Sequence, residues 1–368
     1  MGFVAICSGE GAATAGFRQN QSFMRVGYEN YDPNGIGFPT DNFLGLPRVS
    51  DAAVRMFAVA YDATVSSSDG TAHAPARILE ESRQLDVCLP NLERPWEIGF
   101  DWQPLLGVWS QEAGSDRLHA AEIIDHLEQR KPQTAYLEQL YERITNHQSS
   151  LYTALKLAVE EAISEAVFPV VVGGDHSVPL GAYQACASFG EFGIVQLDAH
   201  MDLRKAYEGF SFSHASIMHN ALKLDNLVQL HQVGIRDWCP TELERSHAEG
   251  PRVLTVFMHQ LQDRKLEGEA FAKTTHAIVD ALPAQVWLSI DVDGLDPAFC
   301  PTTGTPVPGG LSFAEARYLL LAIIHSGRRI LGLDVVETGN AAYDANVSAR
   351  LIYELAANAV TANRLSQQ

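Results

Sequence analysis

The chain has 368 residues, 46% apolar and 19% charged, which is enough apolar content for a full core and rules out a disordered polyelectrolyte. Its formal net charge of −19 argues against a nucleic-acid partner, whose phosphates demand Lys and Arg, and suits an acidic protein that attracts small cations. Five scattered cysteines with no CxxC pair, no run near the ~18 apolar residues of a membrane helix, and no basic leader before an apolar stretch at the start predict a cytoplasmic protein without a membrane span.

Residues 1–55 are rich in Gly, Asn and Asp and have little periodicity, so they read as a loop-rich N-terminal extension to a main domain over 56–368. In that domain Met56–Tyr61 predicts a strand and Ala74–Arg83 a helix, with Pro75 in its first turn. Residues 116–166 predict helix, interrupted near Lys131-Pro132 and again near Asn146-His147. A regular series follows: strand Phe168–Val172, helix Pro179–Ala187, strand Gly193–Leu197, helix Ala215–Leu222, then strands Leu227–Val233 and Val253–Phe257. Helix Gly268–Leu282, strand Val286–Ile290, helix Phe313–His325, strand Ile330–Val335 and helix Val347–Arg364 complete it. Short, mostly unalternating, β-branched strands separated by helices predict an α/β fold: three α/β/α layers around a parallel central sheet. In such a fold the binding site lies beyond the carboxyl ends of the strands.

Those ends carry the unusual residues. VVVGGDHSVP places Asp175 and His176 after a strand, LDAHMD places Asp198, His200 and Asp202, WLSIDVDGLDP places Asp291, Asp293 and Asp296, and ILGLDVVETGN places Asp334 and Glu337. On extended backbone, side chains at i, i+2 and i+4 share one face, so Asp198, His200 and Asp202 are expected to converge. Ionisable groups brought together at the edge of a core repel one another or lose their hydration unless a cation joins them. Each motif alone has an ordinary reading, since DxD is common on surfaces and GGDHS makes a good turn and helix cap. Several of them on one parallel sheet predict a metal centre. Carboxylates with imidazoles suit Mn²⁺ and related first-row ions, and two histidines with four aspartates suit two ions better than one.

GGDHS, DAHMD, SHAS, SIDVDGLDP and TGTPVPGG, in this order and spacing, resemble the ureohydrolase family of arginases and agmatinases, over roughly residues 55–365. The resemblance implies an arginase-like α/β/α catalytic domain and two divalent ions, Mn²⁺ expected and Ni²⁺ used by some relatives. It implies that His176, Asp198, Asp202 and Asp291 hold one ion and that Asp198, His200, Asp291 and Asp293 hold the other. Such a pair lowers the pKa of a shared water enough to supply hydroxide near neutral pH. The resemblance makes His214 in SHAS the proton shuttle to the departing amine, Asp202 a proton acceptor, and Glu337 the group that binds the substrate's guanidinium. The products are then urea and an amine. The family usually follows its Glu with Val-Asn-Pro or Val-Ser-Pro, whereas Thr338-Gly339-Asn340 stands here.

The stretch between Asp202 and His214 lacks the Asn-bearing loop by which arginases grip an amino acid, and DLRKAYEG with SHAS looks like the agmatinase branch. The expected substrate is a small cationic guanidino compound, agmatine in the first place, with guanidine or a guanidino acid as alternatives. Arg204 is expected to pair with a nearby carboxylate, and Trp238 to wall the pocket or to pack between subunits. Family resemblance also predicts a homo-oligomer, trimer or hexamer. A zinc deacetylase is disfavoured because the chain has no adjacent His pair, and a non-catalytic homologue because all six ligands are retained.

Overall fold

The computed structural model describes residues 26–29, 31–35, 37–38, 40–65 and 70–366. Most of the predicted N-terminal extension, residues 1–25 with Cys7, lies outside these, as do residues 66–69 of the loop after the first strand. The described elements are β1 Val54–Ala58, α1 Ala74–Ser82, β2 Phe100–Pro104, α2 Val108–Glu128, α3 Ala135–Ser164, β3 Phe168–Val172, α4 Leu180–Cys186 and β4 Phe192–Leu197. They continue with α5 Ile217–Ala221, β5 Leu227–Ile235, α6 Pro240–Glu249, β6 Val253–Phe257, α7 Met258–Leu266, α8 Phe271–Ala281, β7 Gln285–Asp291, α9 Phe313–Ile324, β8 Arg329–Val336 and α10 Ala342–Leu365.

The strands form one sheet in the order β2-β1-β3-β8-β7-β4-β5-β6, and every pair is parallel. Alternate residues of a strand face opposite sides of a sheet, which explains the two main cores. Val170 and Val172 pack with α1, α8, α9 and α10 on one face, while Val171 packs with α3, α4 and α5 on the other. The strands must be apolar on both faces, and their unalternating sequences follow from that.

The chain passes from β3 to β4 by skipping the two places that β8 and β7 fill later. The sheet's winding therefore reverses among its four central strands, β3-β8-β7-β4, and a crevice opens beyond their carboxyl ends. The four motifs read from the sequence follow these four strands.

Several elements differ from expectation. Helix α3 runs without a break through Asn146-His147: Asn146 faces solvent, and His147 is engaged sideways, its Nδ1 2.8 Å from an Asp116 oxygen on α2. The preceding helix starts at Val108 rather than near 116, and α10 starts at Ala342 rather than Val347. Strand β1 ends at Ala58, three residues short of Tyr61. The edge strand β2 and helices α6 and α7 were not anticipated. The segment before β1 packs on this edge: the Asn42 amide donates to Phe100 O at 2.8 Å and accepts from Trp102 N at 3.0 Å. No helix of the described residues is long and apolar enough to cross a membrane.

Candidate metal centre and cleft

Strand β4 stops at Leu197, and the chain then bends around a point instead of continuing as a strand. His200 makes an isolated parallel bridge with Asp237, and Asp202 has φ 53, in the left-handed region. The convergence of Asp198, His200 and Asp202 is thus built from a turn and not from the extended alternation that the sequence suggested. Aspartate tolerates this region better than most residues, and such strain concentrates at functional sites. At β7, Asp291 is the last strand residue, and its carboxylate accepts from Asp293 N at 2.9 Å, which closes a tight turn over 292–294.

Two glycines let these segments approach. A Cβ on Gly174 would lie 1.8 Å from Tyr61 O, and one on Gly294 would lie 2.6 Å from Asp198 N. Any side chain at either position would push a ligand-bearing segment out of place.

The result is two adjoining groups. His176 Nδ1 lies 3.0 Å from an oxygen of Asp198, 3.0 Å from Asp202 and 3.2 Å from Asp291. His200 Nδ1 lies 3.0 Å from Asp293 and 3.6 Å from the other oxygen of Asp198. His176, Asp198 and Asp291 form one candidate ligand set and Asp198, His200 and Asp293 the second, with Asp198 common to both. Asp291 falls in the His176 set.

The residues fit a pair of cations. The four aspartates are buried, yet among the described residues none forms an ion pair with Lys or Arg. His176 Nδ1 is buried and has no hydrogen-bond partner despite three carboxylates at contact distance. Its other nitrogen, Nε2, lies 3.0 Å from Ser289 Oγ, which itself donates to Asp334 at 3.0 Å. Ser289 is left as an acceptor, so Nε2 donates to it. Burial works to lower the His176 pKa, but the three aspartates raise it well above its ordinary value, and a cation that replaced the Nδ1 proton would leave the Nε2–H tautomer. That tautomer is a metal ligand's, held by a second layer of hydrogen bonds. Asp334 does not reach the cleft. It accepts from Trp287 Nε1 at 2.6 Å and Tyr183 OH at 3.2 Å, and burial raises its pKa to about 6.

The metal-ligand candidates floor a cavity of about 150 Å³ whose walls include Arg204, Tyr207, His214, Asp237, Trp238, Glu242 and Glu337. Glu337 sits at φ 58, and one oxygen accepts from His176 N at 2.9 Å. Burial, then the nearby Asp175 carboxylate, holds its pKa well above the ordinary range. His214 Nδ1 lies 3.1 Å from Thr64 O, and a carbonyl only accepts, so Nδ1 bears the proton and Nε2 is the basic nitrogen. Burial, then the charge of His200, lowers its pKa to about 4, and cations in the centre would push it the same way.

A model of the arginase family matches residues 52–361. The chain belongs to the arginase family. As a member of the arginase family it is a ureohydrolase, acting on C–N bonds of linear amidines, and the family's dinuclear divalent metal site has its candidate His and Asp ligands here. An N(1)-aminopropylagmatine ureohydrolase of Thermus thermophilus is 30% identical over 308 residues, covering 82% of this chain and 89% of that one. An agmatinase of Bacillus anthracis is 27% identical over 298 residues, 79% of this chain and 85% of the relative. Among solved structures, the proclavaminate amidino hydrolase of Streptomyces clavuligerus shares the fold with a TM-score of 0.67 at 20% identity, covering 89% of this chain and 99% of that one.

This arginase-family chain gathers nine of the residues singled out from its sequence, the six metal-ligand candidates with His214, Trp238 and Glu337, at one centre, while Asp175, Asp296 and Asp334 do not line it. Trp238 lines the cleft and also packs on Phe257, with ring centroids 4.8 Å apart. Arg204 lies with Nε 3.6 Å from Glu242 and with its guanidinium carbon 4.7 Å above the Tyr207 ring. Tyr207 in turn stands edge-on to His214 at 5.9 Å. Glu242, Tyr207, Thr305 and Asp237 escaped the sequence reading. Glu242 accepts from Cys239 N at 3.0 Å at the start of α6, and the PTE run there is legible only as a helix cap.

Proposed function

We propose that this protein hydrolyses an agmatine-like guanidino compound to urea and an amine, using two divalent ions, Mn²⁺ or alternatively Ni²⁺. The observation that carries the reading is the pair of ligand sets sharing Asp198, with the unpartnered His176 Nδ1 aimed into one of them. His176, Asp198, Asp202 and Asp291 would hold one ion, and Asp198, His200, Asp291 and Asp293 the other. When bound, the ions supply Lewis acidity and make a water proton easy to lose.

The chain's own residues do the rest. Glu337 binds guanidinium N–H groups through charge-assisted hydrogen bonds, its free oxygen being available while the other is tied to His176 N. It thereby presents the flat face of the guanidinium carbon to water. Asp202 accepts a proton from the attacking water. The tetrahedral carbon collapses to urea as its C–N bond to the amine breaks and the amine nitrogen takes the proton that Asp202 accepted, relayed through His214 Nε2. Beyond the ligand sets, the walls set Glu337, Asp237 and Glu242 against Arg204 alone, a negative surplus that suits a cationic tail better than a carboxylate. Cys88, Cys186, Cys239 and Cys300 are free thiols, which suits the cytoplasm. We expect a homo-oligomer, trimer or hexamer.

The test is urea release by protein loaded separately with Mn²⁺ and with Ni²⁺, offered agmatine, guanidine, arginine, guanidinobutyrate and guanidinopropionate. Agmatine is expected to lead, with arginine and the two acids slow. Two bound ions and no urea from any of the five would overturn the reading.

A further inference from the structure

Arg236, just beyond β5, belongs to none of the motifs above. Among the described residues its guanidinium has no carboxylate partner, and each of its hydrogen bonds ends on a main-chain carbonyl. Nε and Nη2 converge on Val307 O at 3.0 and 2.6 Å. Nη2 also donates to Asp293 O at 2.6 Å and Leu295 O at 3.1 Å, and Nη1 donates to Gly234 O at 3.1 Å. The backbone adds two more ties, because Arg236 N and Asp237 N both donate to Ala199 O, at 2.8 and 3.1 Å. One residue therefore joins three segments: the end of β4 with Asp198 and His200, the turn with Asp293, and the loop that carries Thr305 and Val307.

Those segments carry the second ligand set. Asp293 is fixed from two more sides, accepting from Ala199 N at 2.9 Å and Thr305 Oγ at 3.3 Å, while it faces His200 Nδ1 at 3.0 Å. His176, at the end of β3, receives no hydrogen bond from Arg236 and meets these segments only through the carboxylates of Asp198, Asp202 and Asp291. Turn carbonyls away from water need donors, and only arginine offers five in a rigid planar fork. Lysine would keep the main-chain ties to Ala199 O, but with three donors on a single nitrogen it cannot span the carbonyls of Gly234, the 293–295 turn and Val307.

We infer that Arg236 is a positioning residue for the ion on the His200 side, holding Asp293 and His200 at a fixed separation, with no comparable hold on the His176 side. The inference rests on the two-ion reading given above.

The test compares full-length wild type, Arg236→Lys and Thr305→Val after chelation. Each is titrated with Mn²⁺ by calorimetry, its bound metal is counted by elemental analysis, and its electron paramagnetic resonance spectrum is recorded. Wild type is expected to take two equivalents and to show a spin-coupled pair. Arg236→Lys is expected to keep the first equivalent and to bind the second about 10–100-fold more weakly, as happens when residues that orient metal ligands are lost. Its spectrum becomes that of an isolated ion. Thr305→Val, which leaves the Arg236 contacts in place, weakens the same equivalent by less. A general loss of fold instead lowers the melting temperature of the chelated protein and weakens both equivalents together. That result, or two unchanged equivalents in Arg236→Lys, overturns the inference. If Arg236→Lys fails to fold, Thr305→Val decides, since weakening of both equivalents or of neither overturns it as well. A wild type that binds no Mn²⁺ or Ni²⁺ removes the two-ion reading itself, a result separate from any difference among variants.

Discussion

At the scale of single residues, Glu337 and His214 make separable predictions. Glu337→Gln keeps the shape but removes the charge that faces the substrate cation. Cutting one side of a buried charge pair costs roughly 2–5 kcal/mol, so kcat/KM is expected to fall by at least about thirtyfold with the metal content unchanged. Loss of metal together with activity would instead mark Glu337 as part of the centre's scaffold. His214→Asn leaves a side chain able to donate to Thr64 O but unable to take a proton. Its expected effect is a roughly 10²–10⁴-fold fall in kcat with little change in KM. Because the pKa of His214 lies near 4, its basic form is already complete above about pH 5, so it puts no bend in the wild-type rate profile between pH 5 and 8. These two residues were legible because they stand inside recognisable motifs. Arg236 was not, and Asp334, singled out at its strand end, was not legible as the support of Ser289, since their work is done on backbone carbonyls and on a neighbouring serine that only the folded chain brings near.

At the scale of elements, the cleft loop over 203–213 owes its position to a helical hairpin far away in sequence. Phe210 is buried among Ile123, Ile124, Leu140 and Ile144 of α2 and α3, and its ring stacks on Tyr141 at 5.7 Å. Gln148 donates to Phe212 O at 2.8 Å, and Tyr152 meets the Phe212 ring edge-on at 5.4 Å. The cluster around Phe210 is separate from the two sheet-facing cores, although Tyr152 and Phe212 belong with one of them, so it can loosen by itself. Phe210→Ala is expected to cost roughly 3–5 kcal/mol locally. Hydrogen exchange should quicken in 203–213 and in the facing turns of α2 and α3, while the four central strands stay protected. Exchange that rises evenly across the sheet would refute a local anchor. The same element explains a misreading: Asn146-His147 looks like a helix break in sequence, yet the polar partner of His147 sits on another helix. Strand β2 was hidden for a related reason, since Phe100-Asp101-Trp102-Gln103-Pro104 is an edge strand that ends in proline and pairs on one side only. The four central strands were readable because burial on both faces leaves only apolar, β-branched sequence available to them.

At the scale of the whole molecule, the centre should couple metal content to pH-dependent stability with opposite signs in its two states. Without metal, burial works to lower the pKa of His200, but Asp293 and Asp198 outweigh it and raise the value to about 12. Burial, then the charge of Asp198, raises Asp202 to about 7. In the unfolded chain these groups titrate near pH 6.5 and 3.9, about their ordinary values. Between about pH 6.5 and 8 the chelated native state therefore holds protons that the unfolded chain has released. Its stability falls as pH rises across that window, because unfolding is then favoured by proton release. His214 and His231, both lowered to about 4, give the opposite slope only below about pH 6.5 and none above it. Metal reverses the balance. Cations hold the same imidazoles and carboxylates deprotonated, so protons compete with metal and the stabilisation grows with pH until the ligands are free of protons. At a free-ion concentration of about one hundred times Kd each site adds roughly 2.7 kcal/mol. The difference in melting temperature between Mn²⁺-loaded and chelated protein should accordingly widen from pH 6.5 to 8, with the chelated curve descending and the loaded curve level or rising. A gap that stays constant, with both curves parallel, would mean that His200 and Asp202 do not exchange protons for metal, and would count against the centre as drawn.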